Sequence, residues 1–363
     1  MPIYMDFHDL PDGVTAEHVA QMHQADLKIE HKYNCRGLTY WCDEIRQTAF
    51  CLIEAPNEQA IIDLHEKAHG GVPQRVIEVN DSIVETFLGR IQDPERAKES
   101  GLHIIDDSAY RVLLILNMHR TKLRDDNQST LKAALRGYSQ SFKTIIGKNN
   151  GRLVKQQDFG LLASFTTARQ AIACAQAIQE LHNCVITPEL EFRIGICAGD
   201  PVTEKDQLFE ETIGQAQNLS RIDSKQVVVS ETVRQLYEQE CDQALPGDIR
   251  TVSSTDEQFL DQVMEYVHSI WEQPQVEAGD IHKELGYSKS KLYRMLTSIA
   301  GVSPLQLLKQ YRLEQGLKLL DTQSFQISQV AYQCGFSNPA YFSKCFQENY
   351  GVLPSGYLRT LQG

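Results

Sequence analysis

Near its C-terminus the chain repeats one local pattern, and that repeat confines the segment from Asp256 to Gly363 to helices. In the first copy a short helical stretch, Ala278 to Leu285, runs into Gly286, and Ser288 stands as the N-cap of a second stretch reading SKSKLYRMLTSIAG. In the second, Ile327 to Cys334 runs into Gly335, and NPAYFSKCFQENYG follows. Glycine supplies the positive φ that a tight turn needs, and a capping side chain satisfies the open N–H groups of the next helix. Between the copies, PLQLLKQYRLEQGLKLL opens on Pro304 and carries Leu307, Leu308, Tyr311, Leu317 and Leu320, as a helix with an apolar stripe does. Two helix-turn-helix units held apart by a helix are therefore expected over 256–363. Such a unit offers the N-terminal face of its second helix to the DNA major groove.

The stretches AGDIHKELGYSKSKLYRMLTSIAGVSPLQLLKQYRLEQGLKLL and ISQVAYQCGFSNPAYFSKCFQENYGVLPSGY resemble the AraC/XylS family of transcription regulators, including the core G-F-S-x-x-x-Y-F-S-K-x-F. The resemblance implies that Ser290, Lys291, Tyr293 and Arg294 in the first unit, and Asn338, Ala340, Tyr341 and Lys344 in the second, face the groove of a double-stranded operator. Arg294 is the candidate for bidentate reading of guanine, since lysines more often meet phosphate. Leu292, Leu296, Phe342 and Phe346 are read as core.

A net charge of -13 argues against DNA until it is divided along the chain. Residues 1–100 carry 9 Lys and Arg against 18 Asp and Glu, and residues 256–363 carry 9 against 11, so the acidity is mainly N-terminal. Lys289, Lys291, Arg294, Lys309, Arg312 and Lys318 are opposed only by Glu314 in their span, a stripe suited to phosphates. The chain shows no apolar run of membrane-spanning length and no signal-peptide pattern, which makes a soluble cytoplasmic protein the expectation. Nine scattered cysteines without a CxxC pair suit free thiols.

At 363 residues the chain has room for two or three domains, and a multidomain α+β architecture is expected. Residues 1–80 read as strand 3–8, helix 15–33, strands 37–43 and 48–54, helix 57–69 and strand 74–78, the βαββαβ order of a ferredoxin-like unit. Residues 81–104 read as a linker, 105–240 as a second α/β domain and 241–255 as a second linker.

Six of the eleven histidines lie at 8, 18, 23, 31, 65 and 69. His65 and His69 are spaced i, i+4 on one helix and His23 and Asp26 i, i+3 on another, so each pair projects from one face. His8 ends a strand beside Asp6, and Cys51 lies on a neighbouring strand. His8, His23, Asp26, His65 and His69 are the candidate metal ligands, a donor set suited to nickel or zinc rather than magnesium. Through MPIYMDFH, YWCDE, FCLIEAP and HEKAHG the segment resembles a small family of ferredoxin-like proteins regarded as nickel-binding.

The run GRLVKQQDFGLLASFTTARQAIACAQAIQELH followed by LEFRIGICAGDPV resembles the class III nucleotidyl cyclase homology domain. Such a cyclase needs two carboxylates to hold two metal ions, and an Asn and an Arg to orient ribose and stabilise charge. By the resemblance, Asn117 stands at the first carboxylate position and Phe159 at the second, with Asp158 displaced by one. The Asn and Arg positions fall on Gly214 and Asn218, with Arg221 one turn on, and Lys155 matches a base-contacting Lys. A pseudo-cyclase scaffold without turnover is expected. The combined reading is a homodimeric, ligand-responsive DNA-binding regulator with RNA polymerase as a further partner. Its rivals are an active cyclase tethered to a DNA-binding domain and a metal-storage protein with a DNA-targeting tail.

Overall fold

The computed structural model describes residues 1–94, 102, 104–120, 128–157, 160–184, 190–222, 224–275 and 280–361. The N-terminal unit runs β1 (Ile3–Asp9), α1 (Ala16–Ile29), β2 (Arg36–Asp43), β3 (Thr48–Glu54), α2 (Glu58–Ala68) and β4 (Arg75–Val79), in the expected order. Its four strands lie β2-β3-β1-β4, all antiparallel. Strand alternation divides the sheet into two buried faces. Tyr40, Cys42, Ala49, Cys51 and Ile53 pack under the two helices, whereas Met5, Trp41, Phe50, Leu52 and Ile77 pack on the other side.

That second face is covered from residues read as linker. Helix α3 (Asp81–Leu88) buries Val84, Phe87 and Leu88 against it, an i, i+3, i+4 set short enough to be lost among charged neighbours. The buried Arg111 guanidinium donates to the carbonyls of Leu88 at 3.2 Å and Tyr110 at 2.9 Å, tying the end of α3 to the strand that Arg111 begins.

The middle unit comprises β5 (Arg111–Arg120), α4 (Gln128–Lys148), β6 (Arg152–Gln157), β7 (Gly160–Phe165), α5 (Ala168–Cys184), β8 (Leu190–Gly199), α6 (Glu210–Leu219), β9 (Val227–Ser230), α7 (Glu231–Cys241) and β10 (Ile249–Val252). The six strands are ordered β10-β9-β8-β5-β7-β6, with β9 parallel to both β8 and β10 and the other pairs antiparallel. The segment 241–255 therefore holds an edge strand of this sheet, four residues long and too short to announce itself by alternation. One sheet face packs under α4, α5 and α7 through Leu114, Leu116, Ala163, Ile194 and Val229.

The C-terminal unit is all helical: α8 (Ser254–Ile270), α9 (Ile281–Glu284), α10 (Lys289–Ala300), α11 (Pro304–Asp321), α12 (Ile327–Gln333), α13 (Pro339–Tyr350) and α14 (Pro354–Leu361). Of the expected support helix 278–285, residues 278 and 279 lie outside the described residues. The capping signals are in place: Ser288 accepts from the Lys291 N–H, Asn338 from the Ala340 N–H, and Ser303 with Gln306 forms a capping box. Helix α11 is shared, burying Leu307 and Leu308 in the first unit's core and Leu313 and Leu320 in the second's. Among the described residues no helix is long and apolar enough to cross a membrane.

Both turn glycines adopt left-handed backbone, Gly286 at φ 69° and Gly335 at φ 71°, but their surroundings differ. A Cβ on Gly286 meets nothing within 4 Å, while one on Gly335 falls 2.2 Å from the Trp271 carbonyl oxygen. Gly286→Ala should cost about 1 kcal/mol from backbone strain alone. Gly335→Ala should cost clearly more, because backbone must also move. Thermal unfolding of the two variants checks the order, and equal losses would contradict it.

Candidate metal centre and nucleic-acid interface

The metal candidates converge on the helix side of the N-terminal sheet. On β1, alternation turns Asp6 and His8 inward together, and antiparallel register sets Asp6 directly opposite Cys51 on β3. Helix α2 lowers His65 onto this pair from above. The result is a fully buried group of Asp6, His8, Cys51 and His65 whose ligand atoms all lie within 4.8 Å of one another. A second group, Asp26 from α1 with His65 from α2 and His69 at its C-cap, meets the same limit and shares His65.

His65 joins the groups because its two ring nitrogens face opposite carboxylates. Nε2 is 2.8 Å from Asp6 Oδ2, and Nδ1 is 3.1 Å from both Asp26 Oδ1 and His69 Nε2. Burial disfavours charge on His65, but its hydrogen bonds to Asp26 and Asp6 outweigh that and raise its pKa to about 10. Burial likewise pushes Asp6 up, yet the charge of His8 and the hydrogen bond and charge of His65 win and hold it far below the usual carboxylate range. Asp26 is lowered against its burial by bonds to His65 and His69. Burial, then the Asp6 and Asp26 charges, pushes the Cys51 thiol well up.

These residues fit a transition-metal ion. The buried His8 Nε2 makes no hydrogen bond among the described residues, although Asp6 Oδ1 lies 3.3 Å away. A buried imidazole nitrogen left so, beside a carboxylate and a thiol, has the chemistry to take a metal ion. An ion on Nε2 of His65 would leave Nδ1–H donating to Asp26, the carboxylate–histidine arrangement that orients a metal-bound imidazole.

His8, Asp26, His65 and His69 are thus brought together. His23 is not: it is buried against the Tyr40 ring at 5.0 Å, with Nε2 3.5 Å from Asp93 Oδ2, and stands outside both groups. Asp6 and Cys51 complete the group from outside the candidate set; the sequence signal for Asp6 is the inward-facing position it shares with His8, and Cys51 is placed only by cross-strand register. A carboxylate placed there must be paired or ligating to be tolerated.

On the reading helices, Ser290, Lys291, Tyr293 and Arg294 of α10 are exposed, while Leu292 and Leu296 are buried. Asn338, Ala340, Tyr341 and Lys344 are exposed at and on α13, while Phe342 and Phe346 are buried. The Asn338 Oδ1 is engaged as the helix cap, 2.8 Å from the Ala340 nitrogen, leaving only its amide NH₂ for a groove. The basic stripe is shorter than its sequence suggests. Arg312 turns inward and donates to the carbonyls of Trp271 and Gln273, both at 2.8 Å.

The residues at cyclase-motif positions engage neighbours instead. Asn117 donates to the Ser220 hydroxyl at 2.6 Å, and Asn218 to Asp261 of α8 at 2.8 Å. Arg221 pairs with Glu314 of α11 and lies over the Tyr311 ring at 5.1 Å. These three side chains are thus held locally or bound to the helical unit. Gly214 carries no donor, Lys155 is exposed, and Asp158 and Phe159 lie outside the described residues.

Comparison with known proteins matches the N-terminal and C-terminal units separately. Residues 4–79 match the family described as nickel responsive protein SCO4226-like, and residues 281–360 match the helix-turn-helix domain family. The C-terminal unit is an AraC-type helix-turn-helix domain. A histidine kinase P4 from Formosa agariphila is 36% identical over 112 residues, 31% of this chain and 8% of that protein. The TCP pilus virulence regulatory protein of Vibrio cholerae is 38% identical over 85 residues, 23% of this chain and 30% of that protein. The chain therefore spans well under half the length of these relatives. A solved adenylate/guanylate cyclase/hydrolase from Silicibacter pomeroyi is similar at 26% identity, over 36% of this chain and 81% of that one, with a TM-score of 0.30.

A metal ion at His65 must displace its proton. The sign follows from the raised pKa: below about 10 the metal-free site holds that proton, so nickel affinity of the full chain should climb as pH rises from 6 to 8. The climb should be about tenfold per pH unit for one proton, and steeper if the Cys51 thiol ionises too. Calorimetric titration in buffers of different ionisation heat reads the protons released. His65→Ala should abolish stoichiometric binding and His23→Ala should leave it; the reverse order would contradict this placement.

Proposed function

We propose that the chain is a DNA-binding transcription regulator of AraC type whose operator affinity responds to a transition-metal ion in its N-terminal unit. The observation that carries the first half is the pair of capped, glycine-turned helices, α10 and α13, each presenting polar side chains outward from a buried apolar face. The match of residues 281–360 to the helix-turn-helix domain family supports it. The metal half is supported by the buried cluster around His65 and by the match of residues 4–79 to the nickel responsive family. Nickel or zinc suits its mixed imidazole, carboxylate and thiol donors.

On this reading the middle unit is a scaffold rather than an enzyme. Asn117 has no charge with which to hold a metal ion, and Asn218 and Arg221 are bonded to the helical unit rather than facing an open site. The protein works as a homodimer on double-stranded DNA, in the cytoplasm where that DNA lies. Two-fold pairing would match a two-part operator.

Within the reading head, Arg294 reads a base and Lys309 meets phosphate. Arg294→Ala should lose about 1 to 3 kcal/mol on the duplex that the protein selects and relax preference at one base pair. Lys309→Ala should weaken selected and random duplexes alike. Fluorescence anisotropy on both duplexes separates the two outcomes, and equal loss on both for Arg294→Ala would remove it as a base reader.

A further inference from the structure

Between the edge strand β10 and the reading helix α10 lies a cleft of about 460 Å³ that belongs to two units at once. Strand alternation decides what β10 contributes. Val252 packs into the core shared with the helical unit, so Arg250, two residues earlier, leaves the strand on the same side. There it lines the cleft with Lys291 and Arg294 of α10, above the apolar side chains of Met295 and Ile299. Three cations face a single acid, Asp256, whose Oδ2 already accepts from the Ser253 hydroxyl at 2.8 Å.

The Arg250 guanidinium is aimed without being neutralised. Its Nη2 donates to the carbonyls of Ser298 at 3.2 Å and Ile299 at 2.8 Å, the last turn of α10, while Nε and Nη1 make no hydrogen bond among the described residues. A carbonyl pair fixes the plane of an arginine but leaves its charge for an anion, and a planar fork with donors to spare suits a phosphate. An apolar floor offers a base edge no hydrogen-bond pattern. We propose that this cleft seats a backbone phosphate of the bound duplex, and that Arg250 is a DNA contact supplied by the middle unit. The inference rests on the DNA-binding reading above. It goes further by making the sheet domain part of the interface, so the reading head does not bind DNA alone.

The test uses the full chain and measures affinity for selected and random duplexes over a range of salt. Arg250→Ala should weaken both duplexes by the same factor and reduce the slope of log affinity against log salt by about 0.9, one phosphate's share. Arg250→Lys keeps the charge but loses the paired carbonyl bonds, and should keep the slope. Asp256→Asn removes the opposing charge and should strengthen both duplexes. An unchanged slope in Arg250→Ala, or the same loss in Arg250→Lys as in Arg250→Ala, would reduce Arg250 to a prop for α10 and overturn the proposal. Stoichiometric binding of inorganic phosphate that duplex does not displace would also overturn it, by assigning the cleft to a free ligand. Failure of the unaltered protein to bind any duplex would instead defeat the reading on which the proposal stands.

Discussion

One face of the six-stranded sheet holds the molecule together. Leu113 of β5 packs in the same core as Met5, Trp41 and Phe50 of the N-terminal sheet, and Ile115, the next residue on that face, packs in the core that contains Phe259, Leu292 and Leu307 of the helical unit. Leu162 and Ile213 touch both cores. A close-packed interior of this kind resists small displacements and passes them on, so the unit that holds the cluster and the unit that holds the reading helices are set against one support. Polar contacts lie along the same boundary. Asn218 with Asp261 and Arg221 with Glu314 fix where the helical unit sits on the sheet.

The N-terminal cluster follows from a costly choice made by the first strand. Placing Asp6 on the inward face removes a carboxylate from water, which is tolerated only when charge and hydrogen bonds compensate. His65 and the Cys51 N–H supply that compensation, the latter at 2.9 Å. Two buried carboxylates, Asp6 and Asp26, then share one imidazolium, and the cluster gains from a further positive charge. An ion binding there would exchange a proton for a metal and alter what His65 does to the strand and the helix that face it, β1 through Asp6 and α1 through Asp26.

Much of this was readable where the signal was local. The turn glycines, Ser288, Ser303 with Gln306, and Asn338 announce helix ends within a few residues, and the βαββαβ order emerges from periodicity within each element. What escaped depends on partners distant in sequence. Cys51 joins Asp6 only through cross-strand register, and His23 leaves the cluster because Tyr40 and Asp93 meet it, which helical spacing from Asp26 cannot reveal. Arg312 looks like part of a basic stripe until Trp271 and Gln273 claim its guanidinium. Helix α3 and strand β10 read as linkers in the sequence because each is short and gains its stability from tertiary burial rather than from its own pattern.

On the proposed function, metal binding in one unit and DNA binding in another are linked through the shared sheet. Linkage is reciprocal: the factor by which nickel changes affinity for the selected duplex must equal the factor by which that duplex changes affinity for nickel. Measuring both constants on the full chain, each with and without the other ligand, is the most direct test. Two equal factors clearly different from one are what this account predicts. Stoichiometric nickel binding and specific DNA binding, each indifferent to the other, would contradict it.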